Sequence, residues 1–111
     1  MSMVPRFNVH TATYDPLPEF GGQQAILYKS DDGTRLAGSF QESGRHTMVM
    51  PFDEFIYVVT GGSTISVDDG EPFTLSAGDC CYLRQGTNVT FEMTDDFHDV
   101  TVLISDKPID V

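Results

Sequence analysis

Basic residues are scarce: 6 lysines and arginines stand against 17 aspartates and glutamates in a chain of 111 residues, a formal net charge of -11. Nucleic acid and anionic membranes reward Lys and Arg, so this balance excludes both as expected partners and reads first as a solubility charge. Long apolar runs are missing too, and the opening MSMVPRFN has neither a basic stretch nor a hydrophobic one. No membrane span or secretory leader is expected, which points to a cytoplasmic protein. Cysteine is confined to Cys80 and Cys81. Neighbours on a strand point to opposite faces, so a disulfide between them is geometrically poor, and without a CxxC pair there is no zinc pattern. Two free thiols in a reducing compartment are expected. No segment carries a helical period of useful length.

What is present is β-structure. The length suits one compact domain. Residues 1–24 hold Pro5, Pro16, Pro18 and the pair Gly21-Gly22 with no sustained periodicity, and read as an irregular amino-terminal arm. Residues 25–111 read as a single domain of short β-branched and aromatic runs: AILYK, RLAGSF, RHTMVM, EFIYVVT, STISV, FTL, CCYLR, NVTFEM and HDVTVLIS. Asp32-Gly33, Ser43-Gly44, Gly61-Gly62, Asp69-Gly70, Gly78-Asp79 and Gly86 supply the turn chemistry between them. Short strands at such intervals predict an all-β fold, an antiparallel β-barrel or jelly-roll.

Alternation assigns faces. Glu54 shares parity with Ile56 and Val58, which aims a carboxylate at a buried side. Val89, Phe91 and Met93 form a second inward face. In the last strand His98, Val100, Val102 and Ile104 look like the core side, with Asp99 and Thr101 opposite. Phe55, Tyr57 and Val59 are apolar as well, so that strand needs cover on both faces, from a second sheet or a partner.

The segment DEFIYVVTGGSTISVDDG followed by FTLSAGDCCYLRQGTNVTFEM resembles the two cupin motifs joined by a short hairpin. From about Leu36 to Ser105 the chain is similar to small cupins of the (S)-ureidoglycine aminohydrolase cupin-domain group, which includes EutQ-like proteins. The resemblance implies a double-stranded β-helix (RmlC-like jelly-roll), a cavity for a small ligand, and a homodimer with the arm laid on the partner sheet. In the family, the first motif carries two histidines one residue apart, then a glutamate, then a glycine. Glu54 and Gly61 fit, but Met48 and Met50 stand at the histidine positions, and Val89 stands at the last ligand position of the second motif. Thioethers are soft ligands, ill suited to the hard divalent ions that imidazole and carboxylate hold.

The expected site therefore has Glu54 as base and His98 as its proton-exchanging partner, since imidazole titrates near neutrality. Met48, Met50, Tyr57, Tyr82, Val89, Phe91 and His46 are the expected ligand-binding residues, and no metal ligand or cofactor is assigned. Glu54, His46 and His98 would form a shifted metal site if one exists. The bland reading of Glu54 is a rim residue paired with Arg45 or Arg35. The expected function is binding of a small organic ligand in the barrel cavity, with metal-independent proton transfer at Glu54. Two alternatives stand beside it: a metal-dependent cupin hydrolase or oxygenase, and a non-catalytic metabolite-binding or sensory module.

Overall fold

Turn residues cut the chain into ten strands in the computed structural model, which describes residues 4–110. Residues 1–3 of the expected arm, and residue 111, lie outside the described residues. In chain order the strands are β1 (Asp15–Leu17), β2 (Gly22–Lys29), β3 (Arg35–Gln41), β4 (Gly44–Val49), β5 (Asp53–Thr60), β6 (Gly62–Val67), β7 (Phe73–Ser76), β8 (Cys80–Leu83), β9 (Asn88–Met93) and β10 (His98–Ile104). Nine of these are the runs read from the sequence; β1 is not. A 3-10 turn at Pro18–Phe20 links β1 to β2 and ends on Gly21, whose φ of 69° suits a residue without Cβ.

The strands form two antiparallel sheets, one ordered β1-β2-β3-β10-β5-β8 and the other β4-β9-β6-β7. This is the expected jelly-roll. Gly33, Gly44, Gly61, Gly78 and Gly86 take positive φ at the expected breaks. The β6–β7 turn departs from expectation: positive φ falls on Asp68 and Asp69 rather than Gly70. Gly70 N–H donates to the Val67 carbonyl at 2.9 Å and closes the turn. Aspartate visits this conformation more readily than most residues, so two successive left-handed positions are tolerated here.

Register explains which side chains meet inside. In the larger sheet Glu54 pairs with Leu103, which pairs with Leu36; Ile56 pairs with Thr101, and Val58 with Asp99, which pairs with Phe40. The inward set of β10 is thus Asp99, Thr101 and Leu103, the reverse of the face assigned from alternation. The reason is that the outer face is also apolar. Tyr28, Ala37, Val102, Phe55 and Tyr82 lie in one row across five strands, and Val102, Phe55 and Tyr82 are exposed. Hydrophobicity alone could not separate the sides.

Two apolar clusters flank the interior. One holds Met50, Ile56, Val58, Ile65, Val89, Phe91 and Phe97 among others; the smaller holds Leu36, Phe40, Leu103 and Ile109. Phe52 packs against both. A hollow is lined by members of both, and the inward Glu54, Ser63 and Asp99 face it as well.

Candidate functional site

The hollow measures about 480 Å³, within the range of sites that enclose a small organic molecule. The larger sheet supplies Phe40, Glu54, Ile56, Asp99 and Leu103, and the smaller sheet Met48, Ser63, Ile65, Phe91 and Met93. Glu42, one residue past β3, also lines it. The arm contributes too: Pro16, Leu17, Glu19 and Phe20 line the cavity. The arm is therefore part of the site, not an irregular tail. β1 pairs with β2, and Tyr14 seats the preceding residues on the chain's own larger sheet.

Glu54 sits where the sequence placed it, among the lining residues. Neither arginine named as its partner reaches it, because Arg45 is bound to Glu92 and Arg35 to the Thr34 carbonyl and hydroxyl. Burial, reinforced by the charge of Glu42, pushes the Glu54 carboxyl up to about 8. Burial likewise raises Glu42 to about 7. Asp99 is held well above the usual carboxylate range by burial first and then by Glu54 and Glu42. Three carboxyl groups thus share one low-dielectric hollow, and each makes it harder for the next to ionise.

The remaining acceptors are unusual for an interior. Asp99 is 2% exposed and Ser63 1% exposed, yet Asp99 Oδ1 and Ser63 Oγ have no hydrogen-bond partner, nor has Gln24 Oε1. All three residues line the cavity. Buried polar atoms are usually paired, so these three are free to meet a partner inside the hollow; Thr101 Oγ1 is also unpartnered but does not line it.

Several expected site residues lie elsewhere. His98 is buried on the opposite face of β10, where its Nε2 is 2.8 Å from Ser39 Oγ and 3.1 Å from the Tyr14 hydroxyl. Burial, and then the neighbouring His10 with its ring 6.1 Å away, lowers its pKa. It anchors the arm and does not face Glu54. Tyr57 and Tyr82 are on the outer face, 43% and 52% exposed, with the Tyr82 hydroxyl donating to Asp53. Met50 and Val89 are packed in the larger core cluster and are not among the lining residues. His46 is not among the lining residues but packs its ring on one of them, Phe20, at 4.9 Å, with its Nε2 2.7 Å from the Ser43 carbonyl oxygen. Met48 and Phe91 do line the cavity. Cys81 packs against the core, where burial and the charge of Glu54 push its thiol up to about 11, far from a nucleophile.

Sequence reasoning missed Glu42, Asp99, Ser63 and Gln24. Asp99 carried a signal, a charged residue inside a strand otherwise rich in valine, but the face assignment sent it outward.

A metal fits poorly. Met48, Met50 and Val89 at the family's ligand positions offer no nitrogen or oxygen, His98 lies on the opposite face of its sheet from Glu54, and His46 Nε2 is engaged by the Ser43 carbonyl oxygen at 2.7 Å. Among the described residues, no group of three or more His, Cys, Asp or Glu is arranged to hold an ion.

Comparisons with known proteins agree with this architecture. Among solved structures, the chain is similar to the cupin domain of Schizosaccharomyces pombe Cnp3, with a TM-score of 0.74 at 9% identity over 91% of this chain and 74% of that one. KdgF from Halomonas sp. gives a TM-score of 0.71 at 17% identity, covering 91% of this chain and 93% of that chain. The EutQ protein of Clostridium difficile gives 0.67 at 16% identity, covering 91% and 76%. At these identities the likeness speaks to the fold. No curated protein matches the chain. The model of the EutQ-like cupin domain matches residues 29–98, well over half of the length. With the jelly-roll sheets and the retained glutamate in place, the chain belongs to the EutQ-like cupin domain family.

Proposed function

We propose that this protein binds a small organic molecule in the barrel cavity and exchanges a proton with it at Glu54, without a metal. The observation that carries the reading is a carboxyl group lining an otherwise largely apolar hollow of about 480 Å³, with its pKa raised to about 8. A group poised near the working pH both gives up and accepts protons readily, the property a general acid or base needs. The expected second group, His98, is on the far face of the sheet. Glu42, with a pKa raised to about 7, and Asp99, also raised by burial, are among the titratable groups that share the cavity with Glu54. In such a coupled set the protons belong to the cluster, and successive ionisations are spread apart.

A thermal-shift screen with a panel of small metabolites tests this. A compound at a hundred times its dissociation constant stabilises by about 2.7 kcal/mol, a shift on the order of 10 °C for a domain of this size. At least one compound is expected to give such a shift, and Glu54→Gln is expected to reduce it by more than half at pH 8. An undiminished shift in the variant would remove Glu54 from the site.

A further inference from the structure

Resting on the reading that the cavity receives a small molecule, the chemistry of its wall narrows what that molecule is. Glu42, Glu54 and Asp99 line the hollow, joined by Glu19 and Asp110, and no Lys, Arg or His is among the lining residues. Acids buried without a partner keep their protons, as Glu42 and Glu54 do, and an entering positive charge is what lets them ionise inside the hollow. The unpartnered atoms point the same way. Asp99 Oδ1, Ser63 Oγ and Gln24 Oε1 have no partners; an amide oxygen accepts hydrogen bonds only, and so does the Asp99 carboxyl once a cation lets it ionise. A buried water would supply donors but no charge. Five phenylalanines, Phe20, Phe40, Phe52, Phe91 and Phe97, complete the wall. Aromatic faces attract ammonium groups and also accept a hydrocarbon body.

We propose that the cavity is a receptor for a small organic ammonium ion, a primary or secondary amine whose N–H groups meet Asp99, Ser63 and Gln24 while Glu42 and Glu54 supply the counter-charge. A quaternary ammonium would bring charge without donors and leave those acceptors unpaired. The titratable groups facing the bound cation are Glu19, Glu42, Glu54, Asp99 and Asp110, with Cys81 coupled to Glu54 from behind. Burial holds Glu42 and Glu54 protonated toward neutrality, with pKa values of about 7 and about 8. A cation must displace those protons, so binding strengthens as pH rises and releases protons as it occurs.

The test is calorimetric titration of the full chain with n-butylamine, benzylamine and 1,4-diaminobutane, against tetramethylammonium, 1-butanol and butyrate. At least one amine is expected to bind at least tenfold more tightly at pH 8 than at pH 6, with proton release seen as heats that depend on the buffer. Glu42→Gln and Asp99→Asn, checked for folding by their melting curves, are expected to weaken amine binding at least tenfold at pH 8. Preferential binding of 1-butanol or butyrate, or equal binding of tetramethylammonium, overturns the amine class and leaves the cavity reading standing. Amine affinity unchanged in both variants also overturns it. If no probe binds, the amine proposal fails, and the metabolite screen separately decides the cavity reading.

Discussion

Raising the pH from 5 to 9 is expected to lower the melting temperature of this protein by on the order of 10 °C, a large part of it traceable to the cavity carboxyls. In the unfolded chain Glu42 and Glu54 ionise near 4.5, whereas in the fold they keep their protons to about 7 and about 8. Between those limits the folded state binds more protons than the unfolded state, so stability is complete below pH 4.5 and is lost as pH rises through 7 and 8. Asp99 acts in the same direction. His98 opposes them: its folded pKa lies below 6.5, so its contribution is gained as pH rises through that range. Three raised carboxyls against one lowered imidazole leave the carboxyls dominant. The check is a set of melting curves in wild type, Glu54→Gln and Asp99→Asn. At pH 5 Glu54→Gln is expected to match wild type, because both carry a neutral group there. At pH 9 Glu54→Gln is expected to exceed wild type by about 1–3 kcal/mol, the cost of an unpaired buried charge removed, and Asp99→Asn to move in the same direction. General self-repulsion of a chain with net charge -11 also grows with pH, and the variants separate it from the cavity effect. A melting temperature that rises toward pH 9, or variants with an unaltered pH slope, would contradict this account.

The second large effect comes from a position with no chemistry at all. A Cβ at Gly22 would lie 1.7 Å from the Gln41 carbonyl oxygen and 2.6 Å from its carbon. Both are backbone atoms in the adjoining strand, so no side-chain rotation relieves the clash. Gly22 opens β2 and pairs with Leu17 of β1, while Gln23 pairs with Gln41. Displacing it is expected to shift the Pro16–Phe20 segment, which lines the cavity through Pro16, Leu17, Glu19 and Phe20. Gly22→Ala is expected to destabilise by about 3 kcal/mol or more in urea denaturation, above the usual cost of an ill-fitting core substitution because backbone must yield. It is also expected to make the arm sensitive to protease under conditions where wild type resists. A loss under about 0.5 kcal/mol would mean that the close approach of β2 to β3 is not as described.

Much of the frame was legible in the sequence because turn chemistry and alternation are local. The strand runs from β2 to β10, the breaks at Gly33, Gly44, Gly61, Gly78 and Gly86, and the inward aim of Glu54 all follow from residues within a few positions of one another. β1 was hidden because Asp15–Leu17 is three residues long, has Pro16 at its centre and Pro18 directly after it, and owes its pairing to Gly22–Gln24. His98 failed for another reason. Alternation in β10 gives two faces but not which one is inside, and its outer valines pair with Phe55 and Tyr57, which are apolar and exposed. The inner face of this strand carries an aspartate and a threonine, an inversion of the usual pattern at the place where a ligand site would require it. Tyr57 and Tyr82 were misplaced for the same reason: strand membership was right, sidedness was not. Met50 and Val89 are on the expected side, yet neighbouring core residues enclose them before they reach the hollow.

The claim beneath all of this is that the side chain of Glu54 is kept from bulk solvent and retains its proton well into the neutral range. Its ionisation can be followed directly by the carboxyl carbon-13 shift of selectively labelled glutamate, assigned with Glu54→Gln and titrated from pH 4 to pH 10. A midpoint near 8 is the predicted result. A midpoint near the ordinary value of 4.5 would show a water-exposed carboxylate, and both the proton-transfer role and the cavity electrostatics argued from it would fall.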